Sequence, residues 1–573
     1  MLKKLKTYAT DVVKDAEKAA STLQQEFKRQ PGGQGSYSGY PDQPGDGANV
    51  TVIHVGDSKN GVNDTETGQL VHQDSVVPIK ETHIEEGLVP LEDYEAWQTN
   101  QRLLMKYTCE KSKQELVQEF VHSNKFLTKW EAKSKRYIAD TFADTVAAEE
   151  MNFDLSPCGF GSEMRQRHFS HITGEGQFFN TASYGCTPDI VTDGRQSLER
   201  MMQRTNVLWR FRTVPLRVRQ AEYALANVIK ADPDDLTFVP NANYGTNAVL
   251  KSQPWARGDS IMVFSCDYEA SLLACDWLRW HKGVEVITVD MPLPAPDDVI
   301  VGRVQQTLDQ LRQHGKEMPK LANFCHVTSK TATIFPAKKL VKLFHKYGVS
   351  VLVDGAQAAG HIDLNIGEIK ADYYVGTMHK WMYTCPGVGF LVAQPVKQKL
   401  LQPLVVSYFY GKGFIKEFSY TGLMDFTGYM SVQYAVDFVK KVCGGYTQMR
   451  RYIHNLAQDV VALLTRKWGT MCIQGRPEAY GAMPIIQLPH FRENPTQAAA
   501  AALMLALLEK DVTTFIYVAE FNGKKMMVIR LSVQIFHELA DFDKLGDTIL
   551  GIDPSNMVLS TVDKTMTCFV RQA

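Results

Sequence analysis

Long apolar runs are missing from this sequence: no stretch reaches the ~18 consecutive apolar residues that a membrane-spanning helix requires. A secretory h-region is missing as well. The ten cysteines include no CxxC pair, and a chain this large has no need of disulfide staples, so reduced thiols in a cytoplasmic protein fit best. Excess charge of either sign is absent. With a formal net charge of −1 and a pI near 6.9, nothing marks an electrostatic nucleic-acid binder, and no metal-ligating residues are assigned. What is present is apolar material: 44% hydrophobic and 10% aromatic residues over 573 positions suffice for two or three domains.

Residues 2–27 place Leu2, Leu5, Val12, Val13, Ala16, Ala20, Leu23 and Phe27 near helical spacing, led by Lys3, Lys4 and Lys6. An amphipathic helix is expected over 1–27. It suits a membrane-surface or protein contact, and a solvated or loosely docked helix equally; Asp11, Asp15 and Glu17 interrupt the basic character of a mitochondrial presequence. Residues 28–85, rich in Gly, Pro, Gln, Asp and Ser, read as a disordered linker. Helical periodicity returns over 86–156, through Trp97, Leu104, Leu116, Phe120, Trp130 and Phe142. A large domain is expected over 157–410. A smaller C-terminal α+β domain follows over 411–573, with a helix at 428–440 and strands at 483–488 and 526–533.

The most informative stretch is 351–390. Residues 349–353 form an apolar, β-branched run that suits a strand buried on both faces, ending in Asp354-Gly355-Ala356-Gln357. A second strand, 371–375, ends in Gly376-Thr377-Met378-His379-Lys380. About one crossover unit separates Asp354 from Lys380. Both are therefore expected at the same end of neighbouring strands, where open α/β sheets hold their ligands. A lysine and a carboxylate facing each other across such a crevice suit pyridoxal 5'-phosphate (PLP). The amine forms a Schiff base with the aldehyde, and the carboxylate keeps the pyridine nitrogen protonated. Upstream, strand 236–239 runs into Pro240-Asn241-Ala242-Asn243-Tyr244-Gly245 and a helix, a phosphate cradle by geometry or a bare helix cap. Further strands are expected at 260–264 and 321–326, and a helix at 337–346.

The strings DGAQ, GTMHKW and PGVGF together resemble the cofactor-binding core of class V aminotransferase-fold PLP enzymes, which include cysteine desulfurases, kynureninases and the isopenicillin N epimerase group. The resemblance spans roughly 157–550 and implies an α/β fold of type I with a mostly parallel central sheet, acting as a homodimer on an amino-acid substrate. By carry-over, Lys380 is the Schiff-base lysine and Asp354 the pyridinium partner; an N-cap role for Asp354 is compatible. Gln357 is placed towards the phenolic oxygen, Thr377 on the phosphate with Asn243 and Tyr244, and His379 beside the lysine. HVTS places Ser329 near the 3-hydroxyl, or makes it a turn serine. The ring-stacking position of relatives falls on Ala270 if Trp277 anchors the alignment, with Tyr268 as substitute. FSYTGLMD is similar to a segment that crosses the dimer interface in relatives; Leu423 replaces a threonine there, leaving Thr421 and the backbone of Gly422. FFNTASYGCTP resembles the start of isopenicillin N epimerase-like enzymes and puts Ser183 and Tyr184 near the substrate mouth, unless they form only a turn. VIRLSVQIF resembles the strand whose arginine, here Arg530, clamps the α-carboxylate, a task suited to a planar guanidinium.

Schiff-base exchange would free Lys380 to deprotonate Cα, a step common to epimerisation, β-elimination and transamination. Cysteine desulfurases carry a persulfide-forming cysteine somewhat before the carboxylate arginine, and this sequence has none between Cys472 and Cys568. Persulfide transfer of that type is not expected; C–S lyase or epimerase chemistry is. The alternatives are a transaminase, a kynureninase-like hydrolase with Trp209, Arg210, Phe211 and Arg212 lining an aromatic pocket, and a degenerate scaffold protein.

Overall fold

The computed structural model describes residues 153–553, apart from 173–176, 205, 491–494 and 522. The chain divides into two units, Met1–Ala143 and Asp144–Ala573, and every described residue lies in the second. The expected helix 1–27, linker 28–85 and helical extension 86–156 (except 153–156) lie outside the described residues, as does Cys568.

A short strand, β1 (Gln177–Phe178), precedes the central sheet. That sheet is built from β2 (Leu236–Val239), β3 (Ser260–Phe264), β4 (Glu285–Val289), β5 (Leu321–Cys325), β6 (Ser350–Asp354), β7 (Tyr373–Thr377) and β8 (Gly389–Ala393), in the spatial order β2-β8-β7-β6-β5-β3-β4. From β4 across to β7 all pairings are parallel; β8 runs antiparallel to both β7 and β2. It follows that β2 points the same way as β7, so their carboxyl ends share one edge.

Successive side chains of a strand face opposite sides of a sheet, and here both sides are apolar. Ile261, Val263, Leu352, Tyr373 and Val375 join one buried cluster, while Met262, Phe264, Val351, Val353 and Tyr374 join another. Helices supply the covers. On the first side lie α3 (Ala242–Ser252) and α4 (Glu269–Lys282), through Ala248, Val249, Cys275 and Leu278. The second side receives α2 (Val214–Ile229), α5 (Asp297–Gln313) and α6 (Ala337–Lys346), preceded in the sequence by α1 (Asp189–Arg204). Edge strand β4 alone is largely exposed.

The C-terminal part folds as β9 (Ile485–Gln487), the short β10 (Val512–Thr513), β11 (Phe515–Phe521) and β12 (Lys524–Arg530). Three of these make an antiparallel sheet in the order β11-β12-β9, accompanied by α7 (Tyr446–Trp468), α8 (Gln497–Leu508) and α9 (Leu539–Leu550). Strand β10 pairs in parallel with β1, which fastens the segment ahead of the large sheet to the C-terminal part.

Several boundaries differ from the sequence reading. The strand expected over 371–375 occupies Tyr373–Thr377. The strand expected over 526–533 stops at Arg530, because the N–H groups of Leu531, Ser532 and Val533 turn to the carbonyls of Pro484, Phe179 and Ala482. The helix expected over 428–440 is broken into Thr427–Met430, Val432–Asp437 and the π-helical Phe438–Val442. Among the described residues no helix is long and apolar enough to cross a membrane, and the eight described cysteines are free thiols.

One glycine decides how closely the cradle turn meets the sheet. Gly389 pairs with Val239 on one side and Thr377 on the other. A Cβ there would lie 2.8 Å from the Gly376 carbonyl oxygen and 2.9 Å from the Asn241 Cα. Both are backbone atoms with little freedom to yield. Gly389→Ala is therefore expected to cost about 1–3 kcal/mol, read as a lower urea midpoint with unchanged slope.

Candidate active site

Strand register assembles the site at the carboxyl edge of the sheet. Val239, Gly389 and Thr377 stand side by side across β2, β8 and β7. Next in line, Val375, Asp354 and Cys325 stand side by side across β7, β6 and β5. The turns that follow these strands carry Asn243 and Tyr244, the 377–380 loop, the 354–357 turn and Ser329. Tyr268 and Glu269 follow β3, the neighbour of β5.

Asp354 is buried, with its Oδ1 accepting from the Ala356 N–H at 2.9 Å. Burial pushes its carboxyl upward, against the Ala356 N–H, the Lys380 charge and the Ser271 hydroxyl. Lys380 shows the complementary shift. Burial pulls its ammonium down to about 8, while the Asp354 charge raises it and the Arg530 cation lowers it. An amine that sheds its proton near neutrality and a carboxylate that still opposes that loss are electrostatically coupled in one crevice. Asp267 braces the same edge: its carboxylate accepts from the N–H groups of Phe264 at 2.7 Å and Cys325 at 2.8 Å. Burial pushes it up to about 7, those N–H groups opposing and Asp354 adding to the rise.

Arg530 ends β12 at 1% exposure, and its hydrogen-bonding partners in the structure are neutral oxygens. Nη1 donates to the Ser329 carbonyl at 2.8 Å and its hydroxyl at 3.3 Å; Nη2 donates to Asn180 Oδ1 and Ser183 Oγ, both at 2.9 Å. Ser183 also donates to Asn180 Oδ1 at 2.8 Å, and the guanidinium lies over Phe515, 4.5 Å from the ring centre. Its Nε is buried with no partner. Desolvation draws Arg530 down to about 10, with Tyr517 and Tyr184 opposing. A buried cation ringed by neutral oxygens, with one donor spare, calls for an anion.

The other sequence-selected residues distribute unevenly. Gln357 is buried; its amide donates to the Ala182 carbonyl at 2.8 Å and its oxygen accepts from Trp381 Nε1 at 2.8 Å. His379 Nδ1 lies 2.9 Å from the Thr377 hydroxyl, and burial with the neighbouring Lys380 charge lowers the ring to about 4. Asn241 caps α3 by accepting from the Tyr244 N–H at 2.8 Å, which leaves the Asn243 side chain exposed near the helix start. Tyr244 accepts from the Leu404 N–H at 3.1 Å. The Tyr268 hydroxyl is pushed up by burial and then by the charges of Asp354 and Tyr184, so Tyr268 faces the same cluster. Tyr184 is 62% exposed at its rim, and Ala270 is half-buried on α4. Thr421 and Gly422 are not reached by the hydrogen bonds of this cluster; they lie beside exposed Leu423. Trp209 is buried and Phe211 is 70% exposed, so the two do not line one aromatic pocket.

Sequence reasoning missed Asn180, Ser271, Trp381, Phe515, Tyr517 and Asp267. Asn180 was within the FFNTASYG string and Trp381 within GTMHKW; the roles of all six depend on partners elsewhere in the sequence, which no local spacing announces.

The donor set fits PLP. Lys380 offers an amine of lowered basicity, Asp354 an acceptor for a ring N–H, and Thr377 with the free N–H groups at the start of α3 donors for a phosphate. Those donors converge on one edge by register.

The aminotransferase class-V family model matches residues 204–484. A putative L-cysteine desulfhydrase of Oryza sativa subsp. japonica is 26% identical over 398 residues, covering 65% of this chain and 82% of that protein. Isopenicillin N epimerase of Streptomyces clavuligerus is 27% identical over 357 residues, covering 59% of this chain and 85% of its own. Among solved structures, a cystine C–S lyase in complex with its product cysteine persulfide superposes with a TM-score of 0.58 at 18% identity, over 67% of this chain and 100% of that one. A cysteine desulfurase from Thermococcus onnurineus NA1 gives 0.56 at 15% identity, over 69% and 100%. The fold-type I architecture and the register-built site agree with these matches, and residues 204–484, just under half of the chain, carry the aminotransferase class-V match.

Proposed function

We propose that this protein is a PLP-dependent enzyme that acts on an α-amino acid and breaks the C–S bond at its β-carbon by elimination. The observation that carries this reading is the pairing of Lys380 and Asp354 at neighbouring strand ends with Arg530 buried beside them, one donor unspent. When bound, PLP supplies an aldehyde for the Lys380 amine and an electron-accepting ring that acidifies Cα–H.

The protein's own groups supply the rest. Arg530 takes the α-carboxylate on its unspent Nε–H and on one Nη hydrogen released by Asn180 or Ser183, while Ser329 keeps its plane fixed. Lys380 Nζ, whose ammonium sits at about 8, takes the proton from Cα near neutrality. His379, held neutral, keeps its ring on Thr377 and carries no charge at that pH. Thr377, Asn243 and the start of α3 hold the phosphate. Tyr268 and Tyr184 border the substrate, and Gln357 is steadied beside the ring by Trp381. Epimerisation is the second reading, favoured by the match to isopenicillin N epimerase.

The functional unit is proposed to be a homodimer. Val406, Tyr408, Tyr410 and Leu423 are all exposed, Tyr408 stacks on Tyr420 next to Thr421, and the Leu404 N–H donates to the Tyr244 hydroxyl of the site. A second copy covering this face would bury it and bring Thr421 and Gly422 towards a phosphate. The free thiols suit a reducing compartment such as the cytoplasm.

The purified protein should show an absorbance band near the visible edge that borohydride abolishes. Lys380→Ala should remove that band, and a retained, borohydride-sensitive colour would sink the assignment. Arg530→Ala should keep the band but lose about 2–5 kcal/mol in kcat/KM for α-amino acids; unaltered kinetics would mean that no carboxylate binds there.

Lys380 carries a pH signature of its own. Its folded-state value lies below that of an unfolded lysine, so its amine becomes nucleophilic as pH rises through about 8. The rate at which apoprotein Lys380 is labelled by PLP and trapped by borohydride, read by mass spectrometry, should follow that midpoint. Asp354→Asn removes the charge that retains the proton, so its midpoint should fall lower; an upward move would contradict the electrostatic account.

A further inference from the structure

The segment after β6 holds a buried imidazole that takes no part in the proposed chemistry. His361 Nδ1 lies 3.0 Å from the Gln357 carbonyl oxygen, and its Nε2 lies 2.9 Å from the backbone nitrogen of Ala482, just ahead of β9. A carbonyl only accepts and a backbone N–H only donates. The partners therefore set one tautomer, in which Nδ1 donates and Nε2 accepts. Burial, followed by the nearby His454, lowers the ring to about 3, so it stays neutral. His454 of α7 grips the same residue again, donating through Nε2 to the His361 carbonyl at 2.9 Å. One face of the imidazole is stacked on the indole of Trp381, with ring centres 4.4 Å apart and planes within 13° of parallel.

Trp381 and Gln357 give that contact its consequence. The indole Nε1–H can only donate and the Ala182 carbonyl can only accept. The Gln357 amide between them therefore has one orientation, oxygen to Trp381 and nitrogen to Ala182, both at 2.8 Å. One N–H of the amide is spent on Ala182 and the other is left over. The direction of this spare N–H is set by the Gln357 main chain and the Trp381 ring, and His361 touches both. We propose that His361 is a positioning residue: held from the C-terminal part, it fixes the indole and the Gln357 main chain and so aims the spare N–H at the cofactor's phenolic oxygen. This rests on the proposed PLP reading of the same site. A donor held on that oxygen favours its anionic form and lowers the pH at which the cofactor band changes. Without His361 the indole is free to tilt and the amide to turn over, and the donor is lost.

The holoenzyme tests this through the pH midpoint of its absorbance band, with the urea midpoint as a separate measure of stability. His361→Gln keeps an acceptor for Ala482 but gives up the stacked ring and the Nδ1 donor. It should raise the band's midpoint by about 1 pH unit, the worth of one hydrogen bond to a charged oxygen. Trp381→Phe, which leaves His361 in place and removes the indole N–H, should raise it similarly. His361→Asn, whose amide still donates to the Gln357 carbonyl, should fall between these variants and the wild type. In a Gln357→Ala background none of the three should move the midpoint further, because the group through which they act is gone. A merely structural role would lower the urea midpoint in either background and leave the band's midpoint where it was. A midpoint unmoved by His361→Gln and Trp381→Phe, or shifts that persist in full without Gln357, overturns the proposal alone. A protein without the borohydride-sensitive band overturns the functional reading and the proposal with it.

Discussion

The site depends on an electrostatic arrangement enforced by strand register: a carboxylate and an amine at the ends of two parallel strands, both removed from water. Strand β6 ends on Asp354 and pairs with β7 up to Val375, and β7 needs only three residues beyond its end at Thr377 to bring Lys380 round. Neither group would keep its shifted proton affinity in solvent. Burial opposes charge on both, and each softens the other's penalty. The apolar β-branched run ahead of Asp354, buried on both faces, is what makes the setting dry. Core packing and acid–base chemistry are therefore two consequences of the same residues.

Arg530 extends the argument to the C-terminal part. It closes a strand of a separate antiparallel sheet, yet its partners come from residues 180, 183 and 329. The link is reinforced nearby. Gln534 donates to the Thr181 hydroxyl at 2.9 Å and accepts from Tyr383, and Ser532 receives the Ala182 N–H at 3.1 Å. The FFNTASYG segment thus lies between the large sheet and the small one. Its Gly185 has no alternative: a Cβ there would stand 1.8 Å from the His379 carbonyl oxygen. This close approach joins the substrate end of the site to the lysine loop.

Legibility in the sequence followed the range of the interaction. The strands 236–239 and 260–264 and the helix 337–346 were readable to the residue, because apolar runs and turn residues mark them locally. Asp354 and Lys380 were readable because one crossover separates them. The end of β12 at Arg530 was not, since carbonyls from residues 179, 482 and 484 decide it. The break in the helix expected over 428–440 was hidden for a similar reason: it contains no proline, and Gly428, at its start, gives no sign of the π-helical turn that follows. Gln357 carried a motif but not its partners; Ala182 and Trp381 occupy its amide in ways no spacing announces. Asn180 was in plain view, but only the folded arrangement makes its Oδ1 the shared acceptor of Arg530 and Ser183.

The protein alone leaves this site electrostatically unfinished, and that is informative about what it binds. Lys380 and Arg530 are both held below their ordinary proton affinities by desolvation, and the Arg530 cation lowers Lys380 further. Asp354 supplies the negative charge that opposes proton loss from Lys380, itself disfavoured by burial, and it adds to the upward push on the neighbouring Asp267. A fold that buries two cations against one reluctant carboxylate is stabilised by whatever brings further negative charge. A phosphate at α3 and an α-carboxylate at Arg530 do so at two separated points, and the chemistry between them falls to the group that can turn from cation to base near neutral pH. Among the residues gathered here Lys380 alone has that property, because His379 is neutral well below that range and Arg530 remains charged well above it.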